Sequence, residues 1–172
     1  EYPPPLQGEP SAVGTTIRVA RFSVNRLYSG LAMLYRQEDN RREAYPEHRW
    51  RVVPADMVTE FLRRDLREAR LFRAVLSPRD IEEVRYSLEG EVEEFLERRE
   101  GGERKAFLTV AVTLLDLSSK ESAELVVFQN TYRLESPIPE KGAAGFATGM
   151  SQAMSQFSRQ VISDIGSALR GR

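Results

Sequence analysis

The chain has 172 residues, 41% of them hydrophobic and 30% charged, which suits one domain with a sizeable core. Its 25 basic residues nearly balance its 26 acidic ones, and the net charge of −1 argues against a dedicated nucleic-acid binder, which would carry a basic stripe. The absence of cysteine excludes disulfides, thiol catalysis and zinc–thiolate sites within these residues.

The first 14 residues are rich in proline and glycine, which predicts an extended arm ahead of a single domain over residues 15–172. The chain begins with Glu1 rather than Met, so we expect that a leader, a lipid-bearing cysteine or both were removed. No apolar run approaches the roughly 20 residues of a membrane-spanning helix.

The first half of the domain reads as strands followed by a helix. Residues 15–24 and 31–37 are expected to be strands, and residues 44–53 to be extended because Pro46 and Pro54 disfavour helix before them. Pro54 suits the first turn of a helix. Apolar residues at spacings of three and four then predict an amphipathic helix, with a short strand over 71–76 after it. The apolar positions of this helix are Met57, Val58, Phe61, Leu62, Leu66 and Ala69.

The second half reads as an antiparallel meander. Over residues 84–97 apolar and charged residues alternate, which predicts a long strand with one buried and one wet, acidic face. The buried face is expected to hold Val84, Tyr86, Leu88, Val92 and Leu96, and the wet face Arg85, Ser87, Glu89, Glu91, Glu93 and Glu97. Gly101-Gly102 predicts a tight hairpin. Strands over 105–117 and 125–134 follow, and the last should share one face among Val126, Phe128, Tyr132 and Leu134.

The C-terminal region predicts one long amphipathic helix from Ala143 to Leu169. Its apolar residues are Phe146, Met150, Met154, Phe157, Val161, Ile165 and Leu169. The glycine-rich start, 142–149, is expected to stay loose until a partner orders it. The predicted fold is therefore α+β, with a mixed, mostly antiparallel sheet and two amphipathic helices packed on one face.

Residue types that perform catalysis are not grouped in a way that predicts an active site. The single histidine, His48, lacks the further ligands of a metal site. The glutamates of 89–97 could be spaced as a glycosidase carboxylate pair, but a solvated strand face explains them better. Gly142, Gly145 and Gly149 follow no strand and do not form a phosphate loop. We predict no catalytic residue, no metal and no cofactor.

Over roughly residues 15–168 the order and spacing of several residues resemble those of a known family, the ABC-type transport auxiliary lipoproteins. The matching features are Ile17-Arg18-Val19, Tyr35-Arg36, Trp50, Pro54, Met57-Val58, Phe72, Val75, and Tyr86-x-Leu88-x-Gly90. The chain departs from the family in lacking the lipid-attachment cysteine, and the strand usually found after it is represented at most by Glu1-Tyr2.

The resemblance implies a non-catalytic periplasmic lipoprotein, anchored in the outer membrane. Its implied partners are an MCE-domain substrate-binding protein and an ABC permease and ATPase, in a system that moves lipids between membranes. Such a protein would dock the periplasmic assembly at the outer membrane, and several copies would form a homo-oligomer.

Six residues are candidates for partner contacts: four in strands and turns, of the aromatic and arginine types enriched at interface hot spots, and two at the start of the last helix. They are Tyr35, Arg36, Arg49, Trp50, Phe146 and Met150. Trp50 reads equally well as a lid on the core or as an interface anchor. The Met and Phe stripe of the last helix reads first as core, and its small, weakly charged opposite face could pack on another subunit.

Two other functions stay open. A periplasmic carrier would bind a lipid in a cavity between the helices and the sheet. A secretion-channel lipoprotein of the curli type would need an additional pair of long amphipathic strands, which this chain does not offer.

Overall fold

The computed structural model describes residues 13–118 and 125–170, and the predictions for residues 1–12 and 119–124 lie outside it. The described residues form eight strands, two α-helices and a short 3-10 helix at Arg26–Tyr28. These are β1 Val13–Val19, β2 Ser23–Val24, β3 Ala32–Arg36, β4 Arg42–Arg49, α1 Pro54–Glu68, β5 Phe72–Leu76, β6 Tyr86–Glu100, β7 Glu103–Asp116, β8 Val126–Pro137 and α2 Ala143–Arg170. The predicted strand over 15–24 is therefore two strands, and the first begins at Val13, two residues inside the predicted arm.

The long strand β6 organises the sheet. On one side it pairs antiparallel with β7, which pairs antiparallel with β8. On its other side β6 pairs in parallel with β1, then β2, then β3. Strand β5 extends the sheet beyond β1 in parallel, and β4 extends it beyond β3 antiparallel. This mixed sheet confirms the predicted fold class, and its two longest ladders, β6–β7 and β7–β8, are antiparallel.

Two amphipathic helices cover one face of the sheet. Pro54 begins α1, where a missing N–H leaves no helical hydrogen bond unmade. All seven predicted apolar positions of α2 are at most 8% exposed. Helix α2 packs on β7 and β8, and α1 packs on α2, β5 and β6. None of the helices among the described residues combines the length and apolar character of a membrane span.

A β-bulge in β6 corrects the predicted alternation. Val92 pairs with Val110, but Thr109 pairs with Glu94, so Glu93 is an extra residue in the strand. Beyond it the two faces exchange: Phe95 and Glu97 face the helices, and Leu96 lies on the opposite face. The prediction that Glu97 is solvated is therefore wrong, since Glu97 is 0% exposed.

Two further expectations differ from the structure. A second irregularity pairs Leu115 with Val126 and Leu114 with Phe128, so Val126 does not share the buried face and is 47% exposed. The glycine-rich start of α2 is helical from Ala143. Close packing explains this, because a Cβ at Gly145 would lie 1.8 Å from the carbonyl oxygen of Glu140 and one at Gly149 3.1 Å from Ile138.

Candidate partner-binding surface

Strands β3 and β4 form an antiparallel pair, called the ribbon below, which lies beside the second half of β6 in the sheet. Tyr35 in β3 lies opposite both Glu97 in β6 and Glu43 in β4, so the three side chains share a face. At the tip, the Gly101 N–H donates to a carboxylate oxygen of Glu38 at 2.5 Å. The ribbon is thereby joined to the β6–β7 hairpin. Both Gly101 and Gly102 have positive φ (58° and 81°), as the predicted two-residue turn requires.

Under this ribbon lies a buried carboxylate, Glu97, with three donors. Arg99 Nε and Arg104 Nε donate to Glu97 Oε1 at 2.6 and 2.7 Å. The Tyr45 hydroxyl donates to Glu97 Oε2 at 2.5 Å. Arg104 Nη2 also donates to the Tyr45 hydroxyl at 2.7 Å. One charged group therefore holds β4, β6 and β7 together.

The electrostatics of this network keep Glu97 ionised. Burial by itself would raise its pKa, but hydrogen bonds from Arg104, Arg99 and Tyr45 outweigh burial and lower the pKa below its ordinary range. Burial and the contact with Glu97 raise the pKa of Tyr45. A carboxylate that stays charged and is fully paired is a structural anchor rather than a general acid.

An aromatic cluster connects this network to the start of α2. The Tyr35 and Tyr45 rings meet edge to face at 5.4 Å, and Tyr45 stacks on Phe146 at 6.3 Å. Trp50 contacts Phe146 and Phe95, each with ring centroids 5.3 Å apart. Trp50 is partly buried, and its indole N–H is buried without a hydrogen-bond partner among the described residues. Three of the six predicted contact residues therefore meet in one cluster.

The other predicted contact residues lie in different places. Met150 is 0% exposed, as is Phe146, so both belong to the core. The Arg36 guanidinium lies 3.3 Å from a carboxylate oxygen of Glu100, and its side chain is 18% exposed. Arg49 is exposed at the end of β4, directly before Trp50. His48 is exposed, with its ring 6.3 Å from that of Tyr45.

The exposed residues that neighbour Trp50 along the backbone are apolar or basic. We define the Trp50 patch as Leu31, Arg49, Trp50, Arg51 and Val52. Leu31 is 39% and Val52 46% exposed, and Arg49 and Arg51 are also exposed. The backbone N–H of Trp50 donates to the Leu31 carbonyl at 2.8 Å, which holds the two segments side by side. Within the described ranges no group of His, Cys, Asp and Glu residues could hold a metal ion.

Sequence reasoning missed Tyr45, Arg99 and Arg104 and placed Glu97 in water. A signal was available, because Phe95 breaks the alternation that Val92 continues. An apolar residue three positions after another, in place of two, is what an inserted bulge residue produces.

Comparison with known proteins identifies the family. Residues 2–162 match the family model of the ABC-type transport auxiliary lipoprotein component. The chain belongs to this family. Members of this family are lipoproteins that serve as auxiliary components of transport. A lipoprotein of this kind is membrane-associated and lies outside the cytoplasm, and an auxiliary component indicates a role other than catalysis. No curated protein matches the chain.

Solved structures show the same fold at low sequence identity. Protein XCC0632 from Xanthomonas campestris is 19% identical with a TM-score of 0.86, over 99% of this chain and 95% of that one. An uncharacterized protein is 14% identical with a TM-score of 0.73, over 88% and 92%. The hypothetical protein CT253 from Chlamydia trachomatis is 7% identical with a TM-score of 0.65, over 93% and 100%.

Proposed function

We propose that this auxiliary lipoprotein is a non-catalytic adaptor of an MCE-type intermembrane lipid transport system. In this role it is anchored in the outer membrane, faces the periplasm and docks the periplasmic assembly there. Its partners are an MCE-domain substrate-binding protein and the associated ABC permease and ATPase, and several copies act together. The family description supports the transport context.

The observation that carries the docking role is the Trp50 patch. Tryptophan and arginine are among the residues most enriched at binding hot spots, and here Arg49, Trp50 and Arg51 follow one another in the chain, with the exposed Leu31 and Val52 next to them along the backbone. The indole ring is already fixed by Phe95 and Phe146, so binding would order little that is not ordered in the free protein.

The carrier alternative receives less support from the packing. It requires open apolar space between the helices and the sheet. The side chains that would line such a space fill it instead: Phe146, Met150, Phe157, Val161 and Ile165 are each at most 1% exposed. The docking role needs no cavity.

The direct test is a pull-down and affinity measurement with the MCE-domain protein encoded beside this chain, with native mass spectrometry to count the copies. Arg49→Glu should weaken binding at least about tenfold, as expected for a hot-spot charge. The melting temperature should not change, because Arg49 is exposed. Arg159→Glu, a matched charge reversal on the exposed side of α2, should bind like the unmodified chain.

Trp50→Ala tests the centre of the patch. Because Trp50 also packs on Phe95, its replacement lowers stability as well, so affinity is compared at a temperature where both proteins remain folded. Unchanged binding by Arg49→Glu and by folded Trp50→Ala would refute docking through this patch.

A further inference from the structure

The turn between α1 and β5 holds an arginine in an unfavourable backbone conformation. Helix α1 ends at Glu68, and the next two residues close it: the Ala69 N–H donates to the Asp65 carbonyl and the Arg70 N–H to the Arg67 carbonyl. Arg70 then has a φ of +51°, a left-handed position that glycine or asparagine normally occupies. A residue other than glycine held in this conformation suggests a function for its side chain.

Two more arginines surround this turn. Arg73 is exposed on β5, and Arg170 is exposed in the last turn of α2. The position of a Cβ at Gly166 lies 3.8 Å from Arg170 Nη1 and 3.9 Å from Leu71 Cδ1. The Arg170 guanidinium therefore lies beside the segment that carries Arg70 and Arg73. A helix dipole can account for a basic residue at the end of α2, but not for one in a strand such as Arg73.

The chain enters the fold at this same end. Val13 is the first described residue and pairs with Phe72, between Arg70 and Arg73 in the sequence. A lipid anchor that precedes β1 is joined to the fold at this end. This step rests on the lipoprotein anchoring in the proposed function.

We propose that this end, formed by residues 69–73 and the last turn of α2, rests on the membrane and binds anionic phospholipid headgroups through Arg70, Arg73 and Arg170. Arginine forms paired hydrogen bonds to phosphate oxygens, and each basic residue near an anionic surface adds to binding. A lipid anchor holds stably when a second signal of this kind accompanies it. The opposite end, with the β6–β7 hairpin, then faces the periplasm.

The test uses the 172-residue chain without any lipid and measures its co-sedimentation with vesicles. Vesicles of phosphatidylcholine are compared with vesicles that also contain phosphatidylglycerol. We expect binding only to the second kind and weaker binding at higher salt. Arg70→Asn should lower the partition coefficient about fivefold, the ratio for one basic residue at an anionic surface, and Arg73→Gln should do the same.

Melting temperature separates this role from a structural one. Asparagine adopts the left-handed conformation more easily than arginine, so Arg70→Asn should melt at the same or a higher temperature while it binds vesicles less. The matched control is Arg41→Asn, which removes one positive charge from a side chain 75% exposed at the opposite end. Its vesicle binding should equal that of the unmodified chain.

Binding that ignores phosphatidylglycerol, or an equal loss in Arg41→Asn and Arg70→Asn, would overturn the proposal. The two proposals fail separately. Arg70→Asn should still bind the MCE-domain protein, and Arg49→Glu should still bind the vesicles. Loss of vesicle binding alone would leave the adaptor role intact.

Discussion

The two halves of β6, on either side of the bulge at Glu93, are built in different ways. The first half, Tyr86 to Val92, lies beside β1 and β2 and buries Tyr86, Leu88 and Val92 beneath the helices. The second half lies beside β3 and buries a carboxylate, Glu97, among two arginines and a tyrosine. Apolar side chains fill the helix-facing side of the first half, whereas the second half combines buried Phe95 and Leu96 with a buried charge network, and it is the second half that carries the candidate surface.

The largest expected effect comes from deletion of Glu93. Without the extra residue one half of β6 must shift its register, which would turn Phe95 and Glu97 away from the helices or expose Leu88. We expect a loss above about 5 kcal/mol in the free energy of unfolding, or no folding. The substitution Glu93→Ala keeps the strand length and should cost less than about 1 kcal/mol. Equal urea midpoints for the two variants would show that the bulge does not set the faces.

Removal of the Glu97 carboxylate should come next in size. Glu97→Ala leaves Arg99 and Arg104 beneath the ribbon without their shared acceptor, and breaking a buried pair costs about 3–5 kcal/mol. Because the arginines remain partly exposed, we expect the lower part of that range. A double-mutant cycle that combines Glu97→Ala with Arg104→Ala, measured by urea denaturation, tests whether the lost charge pair causes this effect. If the two losses simply add, the residues do not act as one network.

The first half should respond to volume rather than to charge. A Cβ at Gly90 would lie 2.6 Å from the ring of Phe22, which is 3% exposed. Gly90→Ala should therefore cost about 1–3 kcal/mol through overpacking. Phe22→Leu should restore part of this loss in the double variant, as measured by thermal unfolding. A neutral Gly90→Ala would mean that Phe22 has room to move.

The sequence predicted the features that depend on local patterns and missed those that depend on pairing between distant segments. Spacing alone located α1, α2, the hairpin at Gly101-Gly102 and the buried side chains of the first half of β6, because helix and strand periods follow from local geometry. It did not show that β1, β2 and β3 all pair with one edge of β6. Parallel pairing joins segments far apart in the chain and leaves no local pattern.

The candidate site was partly visible. Trp50 and Tyr35 could be selected by residue type, and Tyr35, Trp50 and Phe146 proved to be neighbours. The Glu97 network could not be assembled, because its four members come from three strands and one bulge decides which way Glu97 points. The left-handed conformation of Arg70 could not be predicted either, since nothing in the neighbouring sequence indicates a positive φ at this position.

Low pH should lower the free energy of unfolding through carboxylates beside both halves of β6. Protonation of Asp116, at the end of β7, should cause the smallest of the losses predicted here. Burial alone would raise its pKa, but hydrogen bonds from Arg85 and Ser118 lower the pKa from an ordinary 3.8 to about 2. A carboxyl with a depressed pKa in the folded state stabilises the protein above the unfolded-state pKa, and this contribution is lost as the pH falls towards the folded-state value.

The expected loss from Asp116 between pH 5 and pH 2 is about 1–2 kcal/mol, because one pKa unit corresponds to about 1.4 kcal/mol and the Arg85 side chain is 43% exposed and partly screened. Glu97, whose pKa is also lowered, adds to the loss below its ordinary range near pH 4.5. Urea denaturation at a series of pH values should show a shallower acid dependence in Asp116→Asn than in the unmodified chain, and a shallower one again in Glu97→Gln. If both variants follow the unmodified curve, the acid loss arises elsewhere, and the charge pairs of Asp116 and Glu97 stabilise the fold less than their burial indicates.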